Sequence, residues 1–394
     1  MWGEEVRDAW SETTKMRERM RFVLDAEGEL FTMTELCERY GISRMTGHKW
    51  VRRFREDGVG GLGDRSRAPE HCPHRTDAAV VGALVEARHR HPNWGARKLI
   101  LWVARRQPGL RLPAASTAGD ILKRLGLVKD RRRRRHLPHP GRPIAEGSYA
   151  NQLWSADFKG QFKTRDGIYC YPLTVTDSFS RYLLGCRSQL TTATIPTKKN
   201  FERVFRAYGL PEAIRTDNGT PFSAATAISR LSRLSVWWIR LGIRPELIQP
   251  SHPEQNGRHE RMHRTLKAET TRPPAANARA QQRIFDFFRE EFNTERPHER
   301  LGNQTLGSFY QPSSRPYPDR LPPLEYPGHF EVRRVSRNGG IRWKKGWVNI
   351  STSIIEQNVG LEEVDDGIWS LYFGSILLGR FHEDDLKLHG ARLD

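Results

Sequence analysis

The chain is poor in cysteine and has no apolar run long enough to span a membrane. Its 394 residues include only Cys37, Cys72, Cys170 and Cys186, and no two of them form a Cys-x-x-Cys pair. This excludes a disulfide framework and predicts a reducing, cytoplasmic environment. The N-terminus after Met1 lacks the charge pattern of a signal peptide, so we do not expect a membrane or secreted protein.

Acidic residues are the second deficit. The sequence has 46 Asp+Glu against 65 Lys+Arg, a formal net charge of +19 and a pI of about 10.2. Such an excess predicts a polyanionic partner, usually nucleic acid, and therefore a location at the nucleoid. A membrane surface is the alternative, and the lack of an apolar anchor disfavours it. The length predicts two to four domains.

Residues 30–56 have the pattern of a helix-turn-helix. Gly41 supplies the tight turn, because glycine takes positive φ without penalty, and Ser43 is a natural N-cap for a helix from Arg44 to Arg55. A second helix with exposed basic residues is typical of major-groove binding. A helical hairpin with a solvated basic face is the alternative. The residues expected to face DNA are Arg44, Thr46, His48, Lys49 and Arg52.

A second helical unit is predicted over about residues 76–128. It comprises helices Asp77–His89 and Trp94–Val103 and a third helix capped by Ser116 and Thr117. Exposed basic residues on these helices make it a second, weaker candidate for DNA contact. The contacts expected there are Arg97 and Lys98.

A basic linker follows at residues 131–148. Its run of arginines cannot form a core, and the prolines after it keep the chain extended, so we expect it to follow DNA phosphates. A solvated charge run is the ordinary alternative. The run consists of Arg131, Arg132, Arg133, Arg134 and Arg135.

A histidine cluster before and within the second helical unit raises the question of zinc. Its spacing matches no zinc ligand pattern, so we predict loop histidines instead. The cluster consists of His71, Cys72, His74, His89 and His91.

From Asn151 the pattern changes to alternating strands and helices of a mixed α/β domain. Two acids, Asp157 and Asp217, end strand-like runs, and a third, Glu260, lies early in an amphipathic helix. Carboxylates from separate elements can converge to hold a hard divalent cation. The predicted elements are strands Leu153–Phe158, Tyr169–Val175, Tyr182–Ser188 and Pro211–Thr216, and helices Lys198–Tyr208, Ala225–Leu241 and Gly257–Glu269.

Each acid also has an ordinary explanation. Asp157 could be a strand-edge residue, Asp217 could cap a hairpin at Asn218-Gly219, and Glu260 could be a solvated helix residue. Their order on separate elements favours a shared site. Asp177, in a hairpin, is predicted to be a turn former, not a ligand.

The helix of Glu260 carries basic residues on the same face. His263, Arg264 and Lys267 follow Glu260 at i+3, i+4 and i+7. This places a carboxylate next to three basic groups, which suits a metal ligand with a DNA backbone beside it.

Residues 151–310 resemble the catalytic core of insertion-sequence transposases related to retroviral integrases, the Asp-Asp-Glu transposases. The motifs match in order: Trp154-x-x-Asp157-Phe158, Thr216-Asp217-Asn218-Gly219, Pro253-x-Gln255-x-Gly257-x-x-Glu260-Arg261 and Phe292-Asn293-x-x-Arg296-Pro297-His298. The resemblance implies a ribonuclease-H-like fold and metal-dependent DNA cleavage and strand transfer, by a dimer or tetramer on double-stranded DNA. The catalytic and metal-binding residues would be Asp157, Asp217 and Glu260, with Arg264 and Lys267 on DNA ends.

Such a site implies Mg²⁺ (or Mn²⁺), with two ions about 4 Å apart. Asp157 would bridge the ions, while Asp217 and Glu260 would each hold one. A DNA-binding regulator that has lost catalysis and a nuclease acting on RNA–DNA hybrids are the alternatives. The complete set of acids argues against the first alternative, and the helix-turn-helix units argue against the second.

The spacing of the acids departs from the family pattern. These enzymes usually have about 35 residues between the second Asp and the Glu, whereas 42 separate Asp217 from Glu260 and 36 separate Asp217 from Glu254. We favour Glu260, because Glu254 lies in a loop bounded by proline and glycine. The extra length fits in the segment around Ser223–Ile239.

The C-terminal part follows a proline-rich linker, Arg315–Pro327, and is predicted to be all β. Its strands are Phe330–Val335, Ile341–Ile350, Gly360–Val364, Ile368–Phe373 and Ile376–Phe381, which by resemblance form a small SH3-like β-barrel. The basic first half favours DNA or subunit contact, and a stabilising appendage is the alternative. The predicted domains are 1–70 and 74–130 (helix-turn-helix), 131–148 (linker), 149–312 (catalytic core) and 325–394 (barrel).

Overall fold

The structure is a computed structural model. It describes residues 14–65, 75–128, 147–224, 227–249 and 257–390. The chain divides into two compact units, residues 1–75 and 76–394. Within the described ranges no helix has the length and apolar character needed to cross a membrane.

The first unit is a bundle of three helices, α1 (Lys15–Glu27), α2 (Met33–Arg39) and α3 (Arg44–Asp57), followed by a 3₁₀ turn. Helix α1 was not predicted, whereas the turn and the following helix were. Gly41 has φ +64°, and the Ser43 hydroxyl accepts from the backbone N–H of Thr46 as the N-cap of α3. The helix-turn-helix prediction for this segment is confirmed.

Close contact between these helices depends on a glycine in α3. A Cβ at Gly47 would lie 2.7 Å from Sγ of Cys37 and 2.9 Å from Cζ of Phe22. Trp50 and Val51, on the same helix, are buried in the core of the unit. The apolar side of α3 therefore faces inward, and its basic side faces solvent.

The second unit begins with three more helices, α4 (Ala78–Arg90), α5 (Ala96–Arg106) and α6 (Ala115–Arg124). Asp77 caps α4, as its carboxylate accepts from the N–H of Ala79. The predicted cap of α6 is wrong: its N-cap is Ala114, and Ser116 and Thr117 lie inside the first turn. Packing of Ala118, Ile121 and Leu122 against α4 and α5 sets where α6 begins, and overrides the local preference for a hydroxyl cap.

The centre of this unit is a mixed sheet. Strands β1, β3 and β4 form an antiparallel meander, and β5 and β6 extend the β1 edge in parallel, giving the order β2-β3-β1-β5-β6 with β4 on β3. The predicted mixed α/β arrangement is confirmed. The strands are β1 (Leu153–Phe158), β2 (Phe162–Lys163), β3 (Tyr169–Asp177), β4 (Leu183–Gln189), β5 (Ala213–Thr216) and β6 (Arg244–Leu247).

Four helices cover the sheet: α7 (Thr194–Tyr208), α8 (Arg233–Arg240), α9 (Gly257–Thr270) and α10 (Ala278–Thr294). Aromatic side chains fill one core between the sheet, α7 and α8, including Trp154, Phe205 and Trp238. The prediction of one helix over 225–241 is wrong. Ser232 starts α8 with a capping box, and Ser229 before it has φ 51°, so the chain turns there.

Helices α4 and α5 are attached to the end of α10 through one carboxylate. Glu295 accepts from Nε1 of Trp102 at 3.0 Å and from guanidinium groups of Arg106 at 3.3 Å and Arg90 at 3.4 Å. Beside it, the buried ring of His91 stacks on Trp94, and its Nδ1 lies 3.0 Å from Oε1 of Glu291. The prediction of loop histidines is wrong for His89, which lies within α4, and His91 is the buried C-cap residue of that helix.

The C-terminal region is an antiparallel sheet and a separate hairpin, with order β13-β12-β11-β10-β7 and the pair β8-β9. Within the described residues these strands do not close, so a barrel is not formed. The predicted strand Ile341–Ile350 is split at Lys344, whose φ of 48° makes the hairpin turn. The strands are β7 (Glu331–Arg334), β8 (Gly340–Trp343), β9 (Gly346–Asn349), β10 (Asn358–Asp365), β11 (Ile368–Phe373), β12 (Ile376–His382) and β13 (His389–Gly390).

This region shares a core with helix α8. Val236 and Ile239 pack in one buried cluster with Phe373 and Leu378 of the C-terminal sheet. The preceding proline-rich segment lies along the mixed-sheet domain, where Arg315 donates to the carbonyl of Leu241 at 2.9 Å. The C-terminal sheet is therefore built into the second unit.

Glu295 offers a test of the attachment of α4 and α5. Glu295→Ala leaves the indole N–H of Trp102 and two guanidinium groups without their acceptor, so we expect the free energy of unfolding to fall by about 1–3 kcal/mol. The matched control is Glu290→Ala, an exposed carboxylate on α10. Equal thermal melting curves for the two variants would show that the contact contributes nothing.

Candidate active site

Two of the predicted acids lie at one edge of the sheet. Strands β1 and β5 are parallel neighbours, with Leu153 opposite Ala213 and Ser155 opposite Arg215. Asp157 is near the carboxyl end of β1, and Asp217 follows directly after the end of β5. Because the carboxyl ends of parallel strands meet at one edge, the fold brings the two carboxylates together.

The third acid comes from the first turn of α9. Glu260 is exposed there, on the opposite face from the buried Met262 and Leu266. Its charge acts on Asp157, because Glu260, like Asp217, raises the pKa of the Asp157 carboxyl. The three acids that the sequence singled out thus form one electrostatic cluster.

The cluster holds excess negative charge in a partly buried place. Burial and then repulsion from Asp217 raise the pKa of Asp157 to about 7, while a backbone N–H at Phe158 and the charge of Lys159 act in the opposite direction. Burial likewise raises the pKa of Asp217. Carboxylates brought together against their own repulsion are a donor set suited to a divalent cation.

The loop after β5 fixes Asp217. The Asn218 side chain donates to the carbonyl of Ile248 at 2.9 Å, and the N–H of Gly219 donates to Oδ1 of Asp217 at 3.2 Å. A Cβ at Gly219 would lie 3.1 Å from Oδ2 of Asp217, so a larger residue would crowd the carboxylate. Since β5 and β6 pair in parallel, Asn218-Gly219 is not a hairpin turn, and the alternative role for Asp217 is wrong.

Two histidines of α9 complete the site, and sequence reasoning missed their role. His259 and His263 are each 3% exposed and point at β3. Nε2 of His259 lies 2.6 Å, and Nε2 of His263 lies 2.7 Å, from Oγ1 of Thr174. The prediction that His263 shares the exposed basic face is wrong, because His263 lies one turn from the buried His259 on the side that packs on the sheet. That i, i+4 pairing, in register with Leu266, was the available signal.

These histidines also lie beside Asp157, the first of the predicted ligands. Nδ1 of His263 is 3.7 Å from Oδ2 of Asp157, and Asp157, His259 and His263 each offer a ligand atom within 4.8 Å of the others. Burial lowers the pKa of His259 to about 3 and holds that of His263 far below its usual range. Both rings are therefore neutral, the state in which an imidazole can bind a metal ion.

The remaining acids and thiols near the sheet are structural. Asp177 is fully buried and accepts from the N–H of Asn151 at 2.8 Å and from the N–H of Ser180 at 2.7 Å, which confirms its role as a turn former. Cys170 and Cys186 are buried free thiols, and burial raises the pKa of both, so they are core residues.

On α3 the structure places most of the predicted DNA-facing residues at the surface. Arg44, His48, Lys49 and Arg52 are exposed, whereas Thr46 is half-buried and its hydroxyl lies 2.9 Å from that of Ser43. Four of the five side chains therefore lie on the outward face of the helix.

The other predicted DNA contacts have mixed settings. Arg264 and Lys267 are exposed on α9, beyond Glu260. Arg97 is exposed and pairs with Glu299 at 3.6 Å, while Lys98 is half-buried, and burial together with the charge of Arg296 lowers its pKa to about 8. Arg131, Arg132, Arg133, Arg134, Arg135 and the alternative ligand Glu254 lie outside the described residues, as do His71, Cys72 and His74.

Family models match four parts of the chain, which overlap in two pairs. Integrase core domain models match residues 148–253 and 241–305. Homeodomain-like domain models match residues 13–63 and 46–122. The matches cover the site just described and both predicted helix-turn-helix regions.

Bacterial insertion-element proteins are similar over most of their own length. The chain is 27% identical over 321 residues to an IS476 protein of Xanthomonas euvesicatoria, covering 77% of this chain and 81% of that protein. It is 26% identical over 250 residues to an IS407 protein of Burkholderia multivorans, covering 60% of this chain and 82% of that protein.

A retroviral polyprotein matches a shorter part of the chain, and viral integrase structures are also similar. The chain is 28% identical over 190 residues to the Gag-Pol polyprotein of baboon endogenous virus, covering 48% of this chain and only 10% of the polyprotein. The HTLV-2 integrase catalytic core in complex with magnesium is 15% identical, with a TM-score of 0.34 over 42% of this chain and 99% of that one. The simian T-cell lymphotropic virus intasome is 17% identical, with a TM-score of 0.37 over 74% of this chain and 97% of that one.

The chain therefore carries helix-turn-helix DNA-binding domains and an integrase core domain. Together with the insertion-element relatives, these matches confirm the predicted resemblance to insertion-sequence transposases with a retroviral-integrase-type core.

The charge cluster predicts an unusual effect on stability. In EDTA, Asp157→Asn removes a desolvated carboxylate that its neighbours repel, so we expect the variant to melt several degrees above the wild type. Addition of Mn²⁺ should raise the melting temperature of the wild type and leave that of the variant unchanged. Asp166→Asn, at a turn outside the cluster, is the control. A variant that still gains stability from Mn²⁺ would place the ion elsewhere.

Proposed function

We propose that the chain is a DNA transposase that cleaves at element ends and joins the freed 3′-hydroxyl to target DNA in a metal-dependent reaction. The observation that carries the proposal is the convergence of Asp157, Asp217 and Glu260 from β1, β5 and α9 into one charge cluster. The insertion-element relatives and the integrase core match support it.

The acids fit Mg²⁺ (or Mn²⁺), with two ions in the site. The charges of Asp217 and Glu260 both act on the carboxyl of Asp157. Asp157 would therefore be the shared ligand, and Asp217 and Glu260 would each hold one ion. Bound divalent ions supply an activated water or 3′-hydroxyl and stabilise charge on the leaving oxygen of an in-line displacement. The displacement proceeds directly at phosphorus and needs no covalent link to the protein.

The chain's own residues position the substrate. The buried walls behind Asp157, formed by Thr174 and the two histidines, keep water from that side of the carboxylate. Arg264 and Lys267, one and two turns beyond Glu260, would hold phosphates of the DNA end beside the acids. Further basic groups would extend the DNA path: Arg97, Lys98, the residues Arg131 to Arg135 and the basic strands of the C-terminal sheet.

Recognition of element ends is assigned to α3, with the second helical unit as a further contact. The four exposed side chains would face the major groove: Arg44, His48, Lys49 and Arg52. We propose a dimer or tetramer on double-stranded DNA, acting at the nucleoid, because strand transfer needs two ends held together.

A DNA-binding regulator without catalytic activity is the second candidate. An assay of DNA strand transfer distinguishes it from the transposase. We would assay a branched DNA that mimics the strand-transfer product, with Mg²⁺ or Mn²⁺. Asp217→Asn and Glu260→Gln should lower strand resolution by about 100-fold or more, since each removes a carboxylate that would hold a divalent ion at the reacting phosphate.

The matched control for the third ligand is Glu254→Gln, which should keep its activity. Loss of activity in Glu254→Gln with Glu260→Gln unaffected would move the third ligand to Glu254. A wild type that binds duplex DNA tightly and never resolves the branch would favour the regulator.

The face of α3 can be tested by salt dependence. Arg44→Ala should weaken duplex binding and reduce the slope of log affinity against log salt by about 1 if Arg44 contacts a phosphate. Arg55→Ala is the control, because Arg55 lies on the same helix but pairs with Glu27 at 2.8 Å. Equal losses in the two variants would contradict the assignment.

A further inference from the structure

The two buried histidines of α9 make a hydrogen-bond network with two threonines of β3. The hydroxyl of Thr174 donates to the backbone carbonyl of Asp157 at 3.1 Å. It also lies 2.6 Å from Nε2 of His259 and 2.7 Å from Nε2 of His263. The second threonine, Thr176, lies 3.2 Å from Nδ1 of His259.

The number of protons available to this network determines the tautomer of each histidine ring. A threonine hydroxyl has one proton and two lone pairs. Since the proton of Thr174 goes to the carbonyl of Asp157, both Nε2 atoms must carry protons and donate to Thr174. Nδ1 of His259 then accepts from the hydroxyl of Thr176, so both of its nitrogens are used.

This leaves Nδ1 of His263 as a lone pair directed at a carboxylate. It lies 3.7 Å from Oδ2 of Asp157, which is too far for a hydrogen bond. Two ligand atoms that each lie about 2.1 Å from one ion are at most about 4 Å apart, so one cation can span this gap. Among the described residues nothing donates to this nitrogen.

We propose that Nδ1 of His263 is a direct metal ligand beside Asp157, and that Thr174 is the positioning residue that holds His263 in the tautomer with an unprotonated Nδ1. The inference rests on the metal site of the proposed function. It adds a nitrogen to a set of oxygen donors. Imidazole favours Mn²⁺ and other transition ions over Mg²⁺, so His263 would make this site selective for them.

Pulsed EPR of the full chain with one equivalent of Mn²⁺ tests the ligand directly. A coordinated imidazole nitrogen gives a resolved ¹⁴N coupling, which should change to that of ¹⁵N when the wild type is made with ¹⁵N-histidine. His263→Gln should lose the coupling, and His259→Gln should keep it. Absence of nitrogen coupling in the wild type, or its loss in His259→Gln alone, would overturn the proposal.

Metal affinity gives a second reading. His263→Asn replaces the nitrogen donor with a carbonyl oxygen, so Mn²⁺ binding should weaken by about 10-fold, while Mg²⁺ binding stays near that of the wild type. Equal losses for the two metals would show a merely structural role. The labelled wild type requires no substitution, so its spectrum decides the matter even if the variants fail to fold.

The outcomes also separate this inference from the proposed function. Strand resolution with Mn²⁺ bound but without nitrogen coupling would remove His263 from the ligand set and leave the transposase reaction intact. Nitrogen coupling in a chain that never resolves branched DNA would keep the ligand and remove the reaction.

Discussion

The pairing of Asp157 with Thr174 across β1 and β3 is the constraint on which the site depends. This register places a carboxylate on the same stretch of sheet as the threonine that receives both histidines of α9. A shift by one residue would turn Asp157 to the other face of the sheet. The aromatic core around Trp154 and Phe205 pins the register, because it buries the neighbouring positions of β1. Stability and chemistry are therefore set by the same strand pair.

Helix α9 joins these two roles. Its inner face carries His259, His263 and Leu266 against the sheet, and its outer face carries Glu260, Arg264 and Lys267. The neutral, buried histidines determine how the helix lies, and so where Glu260 meets the other acids. The carboxylate cluster tolerates its own repulsion because the surrounding packing holds it in place.

Much of this could be predicted from the sequence, for physical reasons. The acids were found because each follows a recognisable local element, and Gly41 and Ser43 because their roles are local. Contacts between distant segments were not predictable: the cap of α6, the split at Lys344 and the burial of His263 each depend on packing against other elements. His263 was misplaced because spacing from Glu260 alone does not show which side of a helix meets the sheet.

The carboxylate of Glu295 has a geometric consequence. It fixes α4 and α5 to the end of α10, which packs on β4 of the mixed sheet. These two helices therefore cannot swing independently of Asp157. Any DNA that they held would lie at a set distance from the carboxylates, so packing within the protein would determine the number of base pairs between the two places.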